Sequence, residues 1–503
     1  MILPALLLAG IAFVPLDDRP VTAELPVMLG RIAGVRVETP PARDLGRYFV
    51  RGDSDAIGRW LNHATRDPQI GAFVVSADML AYGGLIASRA PGAPYADARS
   101  RLMQLRATRT ARPNAWIAVF GTVMRLAPTG APAAGGFFAG YPVWTYLQQY
   151  ANLHDPPLPS EAATAERLRQ EIPPATLDAY LQTRARDVAV DEFLLDLTVD
   201  GTLDRLVLGQ DDAGPVGLHV KDVRALQSIV RDRNLESRVA IEPGADELGM
   251  ALVANAIARH ARWQPRIAVR YSTPAGALYQ DPLEFQPVSS AVDGLIALCG
   301  GVRDDERPDV VLYVRIPETS AAQDDAFVAA MTADATAGRS VALADLSFLQ
   351  SYATQKAFAE RLLDAGVAAR LDAYAAWNTN ANTVGTALAE AVAAGAGRRT
   401  HSYDALAHRT FTFVRFLDDY VFHDDVRAGL NGLLAGQGIV DRSVLAPDVA
   451  ATLSERNRAL LWNRAETLLA QLDPGYHIAA IEIQLPWDRT FETQINVGIA
   501  PNL

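Results

Sequence analysis

Short apolar runs alternate along most of this chain with stretches whose apolar residues recur at helical spacing, the pattern of a parallel sheet covered by helices. The runs are IAFVPL, VRVETP, AFVVSA, WIAVFG, RLVLGQ and VAIEPG, then IAVRYS, VVLYVR, VALADL and DAYAAW. Between RLVLGQ and VAIEPG, Val220, Val223, Leu226 and Val230 recur at spacings of three and four, which puts them on one helix face. A chain built this way is expected to be α/β, with mostly parallel sheets. Two doubly wound units followed by a helical C-terminal region fit the count of strands; an elaborated (β/α)8 barrel is the alternative.

Two interruptions set the expected boundaries. A largely helical insertion at about 128–196 follows WIAVFGTVMRLAP and is too long for an ordinary connection. A fresh series of βα repeats begins after RWQP, so residues 1–264 read as one α/β unit and 265–395 as a second. From 396 the pattern turns to long helices, ALAHRTFTFVRFLDDYVFH and SERNRALLWNRAETLLAQL, before an alternating segment that can add terminal strands.

In parallel sheets the loops after the strand C-termini line the ligand crevice, so the residues leaving each strand are informative. Here those loops are rich in carboxylates and amides: Asp17, Asp18 and Arg19 in LDDRP; Asp78, Tyr82 and Arg89 in SADMLAYGGLIASR; Gln210, Asp211 and Asp212 in GQDDAGP. Glu242, Asp246 and Glu247 come next in EPGADELG, then Asp345 in ADLS, and Trp377, Asn378, Asn380 and Asn382 in WNTNANTVG. Asp and Asn also cap helices, so at least one residue of GADELG and of NTNANT is expected to do only that.

Several chemistries lack support in the sequence. A formal net charge of −12 without a basic block argues against nucleic acid. With Cys299 the only cysteine, no intramolecular disulfide or thiolate cluster can form. GxGxxG does not follow the first strand, and GxxxxGK[ST], GxSxG and HExxH do not occur. No cofactor and no metal are therefore expected, although an oxygen-ligated Mg²⁺ or Mn²⁺ on Asp17, Asp18, Asp211 and Asp246 would need only carboxylates.

Paired acids with aromatic and amide company suit glycoside hydrolysis, which needs one protonated acid and a second carboxyl group. Asp212 is the expected general acid with Asp211 beside it, and Asp18 or Glu247 the partner across the cleft. Asp17, Arg19, Asp78, Tyr82, Arg89, Asp246, Trp377, Asn378 and Asn382 are the expected substrate-binding set. Trp144 joins them from the aromatic insertion, which also carries Phe137, Phe138, Tyr141 and Tyr146. A carbohydrate-active hydrolase acting on a glycan or smaller molecule is the leading expectation. A non-catalytic protein for a polar, sugar-like ligand and an Mg- or Mn-dependent hydrolase are the alternatives.

The N-terminal MILPALLLAGIAFVP is apolar like a signal-peptide core, lacks a basic n-region and runs straight into the first strand. A shortened or mis-started export signal is expected, with a cytoplasmic protein as the alternative. No stretch reaches the length of a membrane-spanning helix.

Together VPLDDRP, SADMLAYGGLIASR, GQDDAGP, GADE and WNTNANTVGTALA resemble a bacterial family catalogued as domain of unknown function 4127, in order over roughly residues 10 to 500. The resemblance implies a site at Asp17, Asp18, Arg19, Asp78, Asp211, Asp212, Asp246, Glu247, Trp377, Asn378 and Asn382, without roles. In two local features only, the Asp-Asp pair after a middle strand and the late Trp-Asn segment, the chain is also similar to retaining N-acetylhexosaminidases.

Overall fold

A computed structural model describes residues 10–125, 141–212, 214–351 and 355–502. The apolar N-terminus at 1–9, Phe137 and Phe138 lie outside the described residues. The chain forms two compact units, the first from 1–23, 36–256 and 280–286 and the second from 24–35, 257–279 and 287–503.

The first unit is built on a six-stranded parallel sheet of β1 (Gly10–Val14), β2 (Arg36–Glu38), β3 (Ile70–Ser76), β4 (Trp116–Val123), β5 (Arg205–Gln210) and β6 (Val239–Pro243). Their order is β2-β1-β3-β4-β5-β6, so the chain reverses its direction of travel across the sheet between β1 and β3. The strands are apolar because both faces are covered. On one face Val14, Phe73, Val75, Ile117, Val119, Leu206 and Leu208 pack with Ile57 and Leu61 of helix Ser54–Ala64. Leu194 and Leu195 of the long helix Pro174–Val199 complete that layer with Val223, Leu226 and Val230 of helix Leu218–Asp232. Val220, expected on the same helix face, is only half-buried. Towards the other face, a Cβ on Gly249 would stand 2.9 Å from the Phe13 ring and 3.4 Å from that of Phe120, so helix Leu248–His260 reaches the sheet through a residue without a side chain.

The second unit repeats the same logic with a five-stranded sheet ordered β11-β10-β9-β7-β8. Its strands are β7 (Arg266–Tyr271), β8 (Val302–Arg303), β9 (Val310–Arg315), β10 (Ser340–Asp345) and β11 (Ala373–Ala375), all parallel. Read from the first strand of each unit, both sheets place the second strand on one side and the rest on the other. The two-residue β8 is the one strand that period reading misses, since Val302 and Arg303 are too short a run to show alternation. The alternating C-terminal segment does form strands, β12 (Tyr476–Gln484) and β13 (Gln494–Pro501), paired antiparallel.

The C-terminal helices, expected as a separate region from 396, share a core with the second sheet. Phe413, Phe416, Leu417 and Val421 pack with Val341, Leu343 and Tyr374, and the Phe416 ring stacks on Tyr374 at 3.8 Å. Helix Ala405–Arg415 continues into an unusual π-helical stretch, Phe416–Val426. Three and four residues past Arg415, Asp418 stands 2.5 Å from its guanidinium and Asp419 is in contact with the same group. Asp419 also accepts the Ala376 N–H at 2.7 Å, which ties the end of β11 to the π-helix.

Arg415 is 1% exposed, so its removal leaves buried acids without their cation. Arg415→Met is expected to cost about 3–5 kcal/mol, read as a lowered urea midpoint, and to lose less when combined with Asp418→Asn and Asp419→Asn.

Candidate functional site

In a doubly wound sheet, ligands bind outside the strand C-termini where the strand order reverses. In the first unit that point lies between β1 and β3; the loop leaving β1 carries Asp17–Arg19, and the helix that directly follows β3, Ala77–Tyr82, carries Asp78 in its first turn.

Arg19 is 5% exposed and spans two acids. Its Nε and Nη2 donate to Asp17, the latter at 2.8 Å, while Nη1 and Nη2 donate to Asp246 at 3.0 and 2.6 Å. Thr22 Oγ1 adds a donor to Asp17 at 2.6 Å. Asp246 leaves β6, which is separated from β1 by three intervening strands, roughly 19 Å across a flat sheet. The Arg19 pairings therefore draw the loop after β6 across the strand ends to meet the loop after β1. Burial raises the Asp246 carboxyl above the ordinary range, and Arg19 opposes that rise.

Arg89, 2% exposed, forms an ion pair with Asp211 at the end of β5. Asp212 turns elsewhere, with φ of 35°, and accepts from Arg125 Nη1 at 3.2 Å. The adjacent acids thus diverge because the chain turns directly after β5, with Asp212 in the left-handed region, and each takes its own arginine. Arg19 is committed to Asp17 and Asp246, and Arg89 is the arginine that reaches Asp211. Arg89 is lowered to about 9, first by burial and then by Arg125, with Asp212, Asp78 and Asp246 acting in the opposite sense. Loops after β1, β3, β4, β5 and β6 consequently meet in one electrostatic cluster.

Asp78 differs from these ion-paired acids. It is 5% exposed and accepts from Thr122 Oγ1 of β4 at 3.1 Å. Burial raises it to about 6, against the pull of Ser88, Thr122 and Arg89. The Glu247 carboxylate folds against Gly244, whose φ of 98° and missing Cβ leave it room. Asp18 is half-buried, with its N–H on the Gly46 carbonyl. Tyr82 is buried beneath the Arg186 guanidinium, 4.4 Å from its ring centre, and Trp144 is half-buried on helix Tyr141–Ala151.

Trp377, Asn378, Asn382 and Asp345 belong to the second unit. Trp377 is buried and donates its Nε1–H to Thr386 at 3.1 Å. Asn382 completes a capping box with Thr379 at the start of helix Asn380–Thr400 and accepts from Asn378 Nδ2 at 2.6 Å. Asn378 sits at φ 52°. Asp345, fully buried, pairs with Arg315, which also holds Asp324. Among the described residues, no group of three or more His, Cys, Asp or Glu is arranged to hold a metal ion.

Sequence reading missed Arg125, Arg186, Asp187 and Asp191; the last three lie in the middle of helix Pro174–Val199, away from the strand ends. Arg125 could have been found, since it comes directly after WIAVFGTVM.

The fold and cluster define a two-unit α/β protein with doubly wound parallel sheets and a carboxylate–arginine site at a strand-order reversal. The chain belongs to the family described as "Protein of unknown function (DUF4127)", which matches residues 11–496. A search of curated proteins returned no match. Among solved structures, a complete multifunctional pyruvate carboxylase from Rhizobium etli aligns at 10% identity and a TM-score of 0.18. The alignment covers 90% of this chain but 36% of that one. Among the described residues, no helix is long and apolar enough to cross a membrane.

An unfolded aspartate titrates near 3.8, whereas buried Asp78 titrates at about 6. Its raised value makes the associated stability fully present below the unfolded pKa and lost as pH rises through the folded one. Asp78→Asn is expected to remove about 3 kcal/mol of that pH-dependent loss, so thermal unfolding followed from acid to alkaline pH should fall less steeply in the variant than in the parent.

Proposed function

We propose that the first unit is the catalytic unit of a carbohydrate-active hydrolase, with Asp78 as general acid. The carrying observation is the contrast between Asp78, a buried carboxyl held at about 6, and the arginine-paired acids around it. Glycoside hydrolysis needs two carboxyl groups whose surroundings push their proton affinities apart. A proton held near neutral pH suits delivery to a leaving oxygen. Asp212 rests on Arg125, a cation that suits an anchoring or charge-stabilising role better than proton donation. Asp211, joined to Asp78 through Arg89, and half-buried Asp18 are the carboxylates available to act on the opposite side of the scissile bond. Arginine–aspartate arrays also offer fixed donors and acceptors to sugar hydroxyls.

The same arrays suit a protein that only binds a sugar-like ligand, and turnover separates the two readings. The parent protein, Asp78→Asn and Asp212→Asn would be assayed on nitrophenyl glycosides and on natural glycans. Asp78→Asn is expected to lose about 10²–10⁴-fold in kcat on glycans and far less where the leaving group needs no proton. Asp212→Asn should weaken both substrates alike. Absence of hydrolysis by the parent protein, with ligand binding retained, would replace the enzyme by the binding protein; an Asp78→Asn variant as active as the parent on glycans would remove the acid role.

A further inference from the structure

Helix Pro174–Val199 packs against β4 and β5, and two of its arginines, Arg184 and Arg186, are buried. Residues two apart on a helix do not share a face, and these two reach separate stretches of backbone. Arg186 donates through Nη1 to the Ala90 and Ala93 carbonyls at 2.9 and 3.2 Å, and its Nη2 contacts the Ser88 carbonyl. Its Nε and Nη2 also donate to Asp187 Oδ1 at 3.1 and 2.9 Å, which supplies the opposite charge. Arg89 lies between the clasped carbonyls of Ser88 and Ala90. The helix before it, Leu85–Ser88, is a single turn, and Gly92 follows at φ 104°. One turn of helix is too short to hold its own conformation, so the clamp fixes the backbone from which Arg89 reaches Asp211.

Arg184 works on the other side of the helix. Its Nη1 donates to the Arg125 carbonyl at 2.8 Å, and its Nη2 pairs with Asp222 of helix Leu218–Asp232. Arg125 leaves β4, and its side chain meets Asp212. Arg184 therefore ties the backbone that carries Arg125 to the helix that begins just after the two acids. His219, in the first turn of that helix and fully buried, donates its Nε2–H to the Gly214 carbonyl at 2.8 Å and holds the same loop from within. Burying a guanidinium costs more than burying an apolar side chain of like size, and this helix already has Leu194 and Leu195 in the core. We propose that Arg184 and Arg186 are positioning residues for the adjacent acids: Arg186 sets Arg89 against Asp211, and Arg184 sets Arg125 against Asp212. The bearing of this on turnover rests on the hydrolase reading above, in which Asp211 is a carboxylate available to act at the scissile bond and Asp212 an anchor. One helix then sets the two roles separately.

Arg184→Lys and Arg186→Lys keep the charge and remove the fork, since one ammonium cannot span the carbonyls on both sides of Arg89. Urea unfolding of the full chain reads the positioning without any assay of turnover, through double-variant cycles. The change of midpoint caused by Asp211→Asn should shrink by roughly half in Arg186→Lys and stay as it is in Arg184→Lys. For Asp212→Asn the pattern should be the reverse. Kinetics on glycans add a split: Arg186→Lys should lower kcat and Arg184→Lys should raise KM, each by roughly ten- to a hundredfold. Cycles that are additive in all four combinations, or kcat and KM that change in the same proportion in both variants, overturn the proposal. So does loss of folding in both lysine variants, because displacing Arg89 or Arg125 alone leaves the core intact; if only one folds, its two cycles decide. Failure of the hydrolase reading would appear separately, as crossed coupling in a protein that turns over no glycoside.

Discussion

The guanidinium of Arg19 between Asp17 and Asp246 is the contact on which the first unit's site depends. Both acids are buried, and a buried carboxylate left without a cation loses more on leaving water than it recovers. The guanidinium's five donors in a fixed fork suit bidentate pairing with both carboxylates, and Arg19 uses its fork in that way. The consequence is geometric: the loops after β1 and β6 are brought together over strands that lie between them in the sheet. Arg89 on Asp211 and Arg125 on Asp212 extend the arrangement to β5.

Asp78 differs from these ion-paired acids in accepting from a hydroxyl, that of Thr122, with burial raising it to about 6. This division of labour comes from position. Asp78 lies in the first turn of helix Ala77–Tyr82, between β3 and the Thr122 hydroxyl of β4, whereas the paired acids lie in loops that arginines from other loops can reach.

The second unit treats the ends of its strands in the same manner. Arg315 at the end of β9 holds Asp324 and Asp345, and Arg415 holds Asp418 and Asp419. Its sheet has the same pattern of strand order as the first, although no sequence repeat relates the two. A right-handed βαβ crossover leaves few ways to build a covered parallel sheet, so unrelated sequences arrive at the same order.

Every strand expected in the two parallel sheets is present, from IAFVPL to DAYAAW, because burial on both faces demands continuous apolar runs and these survive any rearrangement of loops. Helix VKDVRALQSIVRDRN was equally legible, its period being local. The acids at strand ends were visible as a class, since a strand that ends at a crevice must change from apolar to polar there. Their partners were not. Nothing local relates Arg19 to Asp246, Arg89 to Asp211, or Asp78 to Thr122. Which carboxylate keeps a proton depends on which cation reaches it and how much water it loses, and both are set by residues distant in the chain. The sequence by itself determined the elements and the kinds of residue at their ends; tertiary structure alone decided the pairings and hence the charges, because electrostatic energy depends on separation in space and on burial.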